Sequence, residues 1–209
     1  MEIQITGELS EYRKTLELIL PALGITESKS AAHTLRICRS EQLSLKIRGG
    51  HAEIGCASGP MLARALTFFK ANSDAETFEL TQKPVFDTVG IMLDCSRNLV
   101  PTVDAAKAYL LRIALMGMNL AMLYTEDTYE IPGEPYFGYL RGRFTQQELR
   151  QIDDYADALG IELVPCIQTL GHLTHLLKWD AYHEIKNTLD TLLVDGEETY
   201  AFLEKAILA

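Results

Sequence analysis

Three times between Thr88 and His172 an apolar run of strand length stops at a cluster of ionisable or hydrogen-bonding side chains. Gly90-Ile91-Met92-Leu93 ends at Asp94-Cys95-Ser96-Arg97-Asn98, Asn119 to Tyr124 ends at Thr125-Glu126-Asp127, and Val164-Pro165-Cys166-Ile167 ends at Gln168-Thr169-Leu170-Gly171-His172. Helical periods lie between the runs. Thr102 caps a helix whose stripe is Ala106, Leu110, Ile113 and Met116 and which ends at Gly117. Thr145 and Glu148 form a capping box ahead of Leu149, Ile152, Ala156 and Leu159, and Gly160 ends that helix. The spacing predicts strands over 88–94, 119–124 and 161–167, and a last helix over Glu197 to Leu208 that turns Phe202 and Leu203 to a core.

Strands buried on both faces read as continuous apolar runs, and parallel β/α barrels carry their chemistry at the C-terminal strand ends. Residues 85–209 therefore read as β/α units of a barrel. Such a barrel has eight units in about 250 residues, and only three are legible here. The expectation is α/β: a small α+β domain followed by the first three units of an incomplete TIM-type barrel, with any remaining strands beyond Ala209.

Residues 1–84 carry a different pattern, expected to be antiparallel in style. Glu2 to Thr6 predicts a strand, and Ser10 a cap for a helix through Leu16, Ile19 and Leu20 that Pro21 and Gly24 end. Ala32 to Arg39 alternates. Leu43 to Arg48 and His51 to Cys56 flank Gly49-Gly50, a pair that supplies the positive φ a tight hairpin turn needs. A helix from Pro60 to about Asn72 and a strand over Thr77 to Leu80 complete the domain.

A formal charge of -10 and a pI near 5.0 argue against a nucleic-acid partner. No basic segment leads into an apolar stretch at the N-terminus, and no run is long enough to span a bilayer, so neither a secretory signal nor a membrane partner is expected. Cys38, Cys56, Cys95 and Cys166 stand singly in apolar segments and read as reduced, buried thiols of a cytoplasmic protein. There is no phosphate-binding or dinucleotide glycine motif, and no cofactor is expected.

The candidate chemistry lies at the strand ends. Asp94, Glu126 and Asp127 follow buried runs and would point into a barrel mouth, although most Glu-Asp pairs are caps or solvated loops. Arg97 is a candidate ligand for carboxylates or hydroxyls, or a partner for Asp94. His172 follows the third run, one strand from Glu126, where a carboxylate on one imidazole nitrogen would leave the other free to tune a neighbouring acid. His172, His175, His183 and Cys166 lack metal-ligand spacing, and no metal site is expected. Between residues 129 and 144 the chain interleaves Tyr129, Tyr136, Phe137, Tyr139 and Phe144 with glycine and proline. Aromatic faces of this kind stack on sugars or pack a loop upon itself. Trp179, the single tryptophan, has the same two readings.

On these residues the chain resembles the family 20 glycoside hydrolases, the β-N-acetylhexosaminidases. Gly90 to Arg97 looks like the family's first barrel strand, Tyr124-Thr125-Glu126-Asp127 like its second, and Glu162 to His172 like its third. Leu43 to Asn72 is similar to the hairpin and helix that precede the barrel. The resemblance implies an exo-acting β-N-acetylglucosaminidase with a retaining, substrate-assisted mechanism, in which the substrate's 2-acetamido oxygen attacks the anomeric carbon. It also implies an adjacent Asp-Glu pair on a fourth strand, which this chain does not hold. Glu126 and His172 match positions that support the catalytic acid; Asp94, Arg97, Asp127, Tyr129 and Trp179 are the candidate substrate contacts. Two departures stand out: Val89 and Gln168 occupy positions where many members have a sugar-binding Arg and an Asp, leaving Arg97 as a substitute. The implied partner is a glycan containing N-acetylhexosamine. The chain alone is expected to be inactive and to self-associate through its open strands, and a non-catalytic carbohydrate-binding or assembly module is the alternative.

Overall fold

In a computed structural model of the chain, which describes every residue except Asn98, the fold is mixed α/β. Two compact units are distinguishable. The first comprises residues 1–90, 107–120 and 155–162, and the second 91–106, 121–154 and 163–209. The expected domain 1–84 lies wholly in the first, while residues 85–209 contribute to both.

The first unit is built on a six-stranded sheet of order β2-β1-β3-β5-β4-β6. Its strands are β1 (Glu2–Gly7), β2 (Thr26–Glu27), β3 (Thr34–Arg39), β4 (Leu43–Arg48), β5 (His51–Cys56) and β6 (Thr77–Gln82). The expected antiparallel style is corrected for most of the sheet: β1 pairs parallel with β2 and β3, and β3 pairs parallel with β5, while the antiparallel pairs are those that β4 makes with β5 and with β6. A parallel pair needs a crossover, and helix α1 (Arg13–Ala22) provides it between β1 and β3. Gly49 and Gly50 turn the hairpin at φ 56° and 83°. Alternation fixes the inner face, where Ile3, Leu35, Ile37, Leu45 and Ile54 are completely buried or nearly so. Helix α2 (Gly59–Ala71) packs on β4 and β5 through Leu62, Leu66 and Phe69. Ser58 caps α2 by accepting from Met61 N at 3.4 Å. Ser10 does not cap α1. Tyr12 stands at that N-cap with no side-chain cap, its ring buried and its hydroxyl donating to the Cys56 carbonyl at 3.3 Å. Burying an aromatic ring outweighs the roughly 1 kcal/mol of a cap, so the tyrosine decides where the helix starts.

The remaining sheet has the order β7-β8-β9, with β7 (Gly90–Asp94), β8 (Leu120–Tyr124) and β9 (Glu162–Cys166). The Val89 carbonyl accepts from Asn119 N and the Tyr124 carbonyl from Cys95 N, so the register ascends on both strands. The same holds for Asn119 with Glu162 and for Thr125 with Cys166. This is the parallel arrangement. Helices α3 (Val103–Leu115) and α4 (Gln146–Leu159) make the crossovers. Thr102 caps α3 through Ala105 N at 3.2 Å, and Thr145 and Glu148 exchange bonds of 2.8 and 3.1 Å at the start of α4. The expectation of strands buried on both faces is corrected. Ala121 and Leu123 of the central strand are buried, but β7 and β9 are half-buried and Met92 is 53% exposed, because two of three strands lie at an edge.

The second unit's core is gathered by the long loop after β8. Tyr129, Ile131 and Phe137 pack with Leu173, Leu176 and Leu177 of the short helix α5 (Thr174–Leu177), with Tyr182, and with Phe202 and Leu203 of α6 (Glu197–Leu208). Of the four thiols, Cys56 and Cys95 are buried as expected, whereas Cys38 and Cys166 are partly exposed; all are free.

Candidate functional site

Among the described residues, the segments after β8 and β9 gather the left-handed non-glycine backbone and most of the unmatched buried polarity. Among the described residues the non-glycine positions with positive φ are Glu126 (49°), Leu140 (61°) and His172 (60°), all in these segments. Left-handed backbone at such residues persists only where the surroundings enforce it, and it collects at binding and catalytic sites. The buried polar atoms that lack a hydrogen-bond partner include Thr125 Oγ1, both Asp127 carboxylate oxygens, Gln168 Oε1, Trp179 Nε1 and the Tyr182 hydroxyl, again after β8 and β9.

Asp94 and Arg97 are brought together. Arg97 Nε lies 2.5 Å from Asp94 Oδ2, while Asp94 Oδ1 accepts from the Ser96 amide and hydroxyl at 3.0 and 2.9 Å and from the Arg97 amide at 3.2 Å. Partial burial pushes the Asp94 carboxyl up, but the bonds donated by Ser96 and Arg97 outweigh it and hold it down at about 2. The Arg97 guanidinium also lies over the Tyr124 ring, 5.0 Å from its centroid. Of the two readings of Arg97, the structure realises the pair with Asp94, and the side chain remains largely exposed.

Glu126 is buried at the end of β8, and its Oε1 accepts from the Tyr124 hydroxyl at 3.3 Å. His172 is not joined to it. The imidazole is exposed, and the nearby Asp190 is held by Thr174 Oγ1 at 2.9 Å and lowered by that bond and by the charge of His172. The expected carboxylate–imidazole contact is therefore absent among the described residues, because the left-handed turn at His172 sends the chain back towards Asp190.

Asp127 is the most enclosed acid, 2% exposed. Burial raises its carboxyl above the ordinary value, partly offset by Arg141. Arg141 Nε sits 3.2 Å from Asp127 Oδ1, close enough for an ion pair although not aligned for a hydrogen bond, and Arg141 also donates to the Ser96 carbonyl. One guanidinium thus ties the end of β7 to the end of β8. Sequence reasoning missed Arg141. Its position in the 138–143 turn was legible only as loop. Gly138, at φ 67°, lies so near the Asp127 carbonyl that a Cβ would collide with it.

Tyr129, expected at the rim, belongs to the core instead. It is buried, packs edge-on against Phe137 at 4.9 Å and donates its hydroxyl to the Ala206 carbonyl at 3.0 Å. Trp179 is half-buried beside Tyr136 and Tyr139. A cavity of about 440 Å³ lies along β8 and β9, lined by Leu123, Leu163, Pro165, Ile167, Leu149 and Ile207 among others. Among the described residues no cluster of three His, Cys, Asp or Glu side chains has metal-binding geometry.

Solved structures that share this fold include β-hexosaminidases. The chain resembles the family 20 glycoside hydrolases. The family 20 exo-β-N-acetylglucosaminidase of Vibrio harveyi, solved with N-acetylglucosamine, matches 98% of this chain with a TM-score of 0.77 and 17% identity, and the chain covers 40% of it. The chitobiase of Flavobacterium johnsoniae matches 98% at TM-score 0.73 and 24% identity, with 38% of its length covered. For the β-N-acetylhexosaminidase of Streptomyces coelicolor the values are 99%, 0.77 and 21%, with 52% covered. In sequence, a β-hexosaminidase of Akkermansia muciniphila is 27% identical over 111 residues, 44% of this chain and 22% of that protein. No family model matches. The chain therefore spans about a fifth of the curated relative and roughly 40–50% of these solved chains.

Proposed function

We propose that this chain is the N-terminal portion of an exo-acting β-N-acetylglucosaminidase, in which β7, β8 and β9 are the first three strands of a TIM-type barrel. The observation that carries the proposal is the coincidence of strained backbone at Glu126, Leu140 and His172 with unpartnered buried polar groups at Thr125, Asp127, Gln168 and Trp179, in the segments that follow β8 and β9. The fold likeness to hexosaminidases over 98–99% of the chain supports it. In a retaining, substrate-assisted reaction, the acetamido oxygen would attack the anomeric carbon while an acid protonates the leaving oxygen. No Asp-Glu dipeptide occurs in this sequence, so the chain by itself lacks both the acid and the carboxylate that orients the acetamido group. Its own residues would bind and orient: Asp94 and Arg97 as a preset ion pair, Glu126 as a buried acceptor, and Asp127 as an acid held by Arg141. His172 lies beside Asp190.

The missing acid pair favours one alternative, a carbohydrate-binding or assembly module that uses the same rim without chemistry. Amide chemical-shift mapping with N-acetylglucosamine and chitobiose addresses what the two readings share. Perturbation centred on Asp94 to Arg97 and Thr125 to Asp127 is expected; a map confined to the first unit would contradict both.

A further inference from the structure

Three rings of the segments after β8 and β9, Trp179 among the candidate contacts and Tyr136 and Tyr139 beside it, pack on one another. Tyr136 and Tyr139 meet edge-on with centroids 5.7 Å apart; Tyr136 lies tilted against Trp179 at 5.8 Å and 34°, and Tyr139 meets Trp179 edge-on at 5.2 Å and 77°. The Lys178 ammonium lies 4.9 Å from the Trp179 ring centroid. Trp179 is the half-buried backing, while Tyr136 and Tyr139 keep 43% and 44% of their surface open. Rings braced in this way have little rotamer freedom left to lose on meeting a ligand. The cluster is also anchored. Next to Tyr139, Leu140 stands 84% exposed in left-handed backbone, and Arg141 follows with its grip on Ser96 and Asp127.

We propose that Tyr136 and Tyr139, braced by Trp179, form a stacking platform for a pyranose ring, a second sugar subsite beside the strand-end mouth. The proposal rests on the hexosaminidase reading in taking that sugar to be the next residue of an oligosaccharide whose terminal sugar occupies the mouth. Aromatic faces are rich in π density and meet the C–H face of a sugar without needing a charged partner. Nucleobases stack equally well, but they arrive with phosphates that a chain of net charge -10 repels. A protein partner would need on the order of 1,000 Å² of complementary surface, far more than two phenol rings offer. A neutral glycan fits both the charge and the size, with the tyrosine hydroxyls and Lys178 available to its hydroxyls.

Trp179 is the only tryptophan, so its emission reports on the platform alone. The full chain is titrated with chitotriose and with cellotriose, which share the pyranose ring and differ in the acetamido group. Both are expected to change the emission saturably. Tyr139→Leu should weaken each by about 3- to 10-fold, and Tyr139→Phe should retain binding because the ring remains. No change with either sugar, or equal binding by wild type and Tyr139→Leu, overturns the platform. Calorimetry separates the two ideas. Chitotriose binding that survives Tyr136→Leu combined with Tyr139→Leu removes the platform and leaves the hexosaminidase reading intact. Platform binding of both sugars by a chain that never gains hydrolysis when extended supports the platform and removes the reading.

Discussion

At the scale of single residues, the pairing of Asp127 with Arg141 is the most consequential contact in the second unit. Both side chains are nearly buried, at 2% and 12% exposure. Removing one partner leaves an uncompensated charge, so Arg141→Ala should lower stability by about 3–5 kcal/mol in urea unfolding, and adding Asp127→Asn should restore part of that loss. Asp127 and Asp94 have opposite pH signatures. The raised carboxyl of Asp127 binds a proton more readily folded than unfolded, so its contribution to stability falls as pH rises from the ordinary 3.8 through the folded value. Asp94, lowered to about 2, contributes stability above its ordinary 3.8 that is lost as pH falls towards about 2. Carbon-detected titration should find Asp94 near that value, and Ser96→Ala should move it up towards 3.8 by deleting a hydroxyl donor.

At the scale of elements, local chemistry decided some boundaries and packing decided others. The reciprocal bonds of Thr145 and Glu148 make Thr145→Ala worth about 0.5–2 kcal/mol of lost stability, measurable as a lower denaturation midpoint. Ser10→Ala should shift stability by no more than about 0.5 kcal/mol, since Ser10 caps nothing. The hairpin at Gly49-Gly50, helix α2 and the three strand ends were legible because their information is local: positive-φ glycines, a proline at a helix's first position, apolar runs bounded by polar clusters. The parallel pairing of β1, β3 and β5 was not, because Ile5 meets Leu35 and Ile37 meets Ile54 across stretches whose register no short motif records. The two-residue β2 has no periodicity to read. In the candidate site, the pairing of Arg97 with Asp94 was legible only as one of the readings open to Arg97. Arg141, Tyr129 and His172 were not, since a loop's route over the strand ends depends on tertiary contacts that turn Tyr129 inward to Ala206 and His172 towards Asp190.

At the scale of the whole molecule, the central proposal is that a three-stranded parallel sheet supplies part of a glycosidase mouth. β7 and β9 each have one unpaired edge, and the cavity along β8 and β9 is largely apolar, with Ile207 and Leu208 of α6 exposed at 63% and 77%. Open edges and apolar grooves recruit partners. The chain alone should therefore self-associate, with mass rising in light scattering as concentration rises; a monomer throughout would count against the open-sheet account. The most direct test of the central claim is hydrolysis of an aryl β-N-acetylglucosaminide, comparing the 209-residue chain with a chain continued past Ala209 by a strand carrying an Asp-Glu pair. General acid catalysis alone supplies about 10²–10⁴-fold. The account predicts turnover only in the longer chain, with kcat lowered there by Glu126→Gln, and clear turnover by the purified 209-residue chain would contradict it.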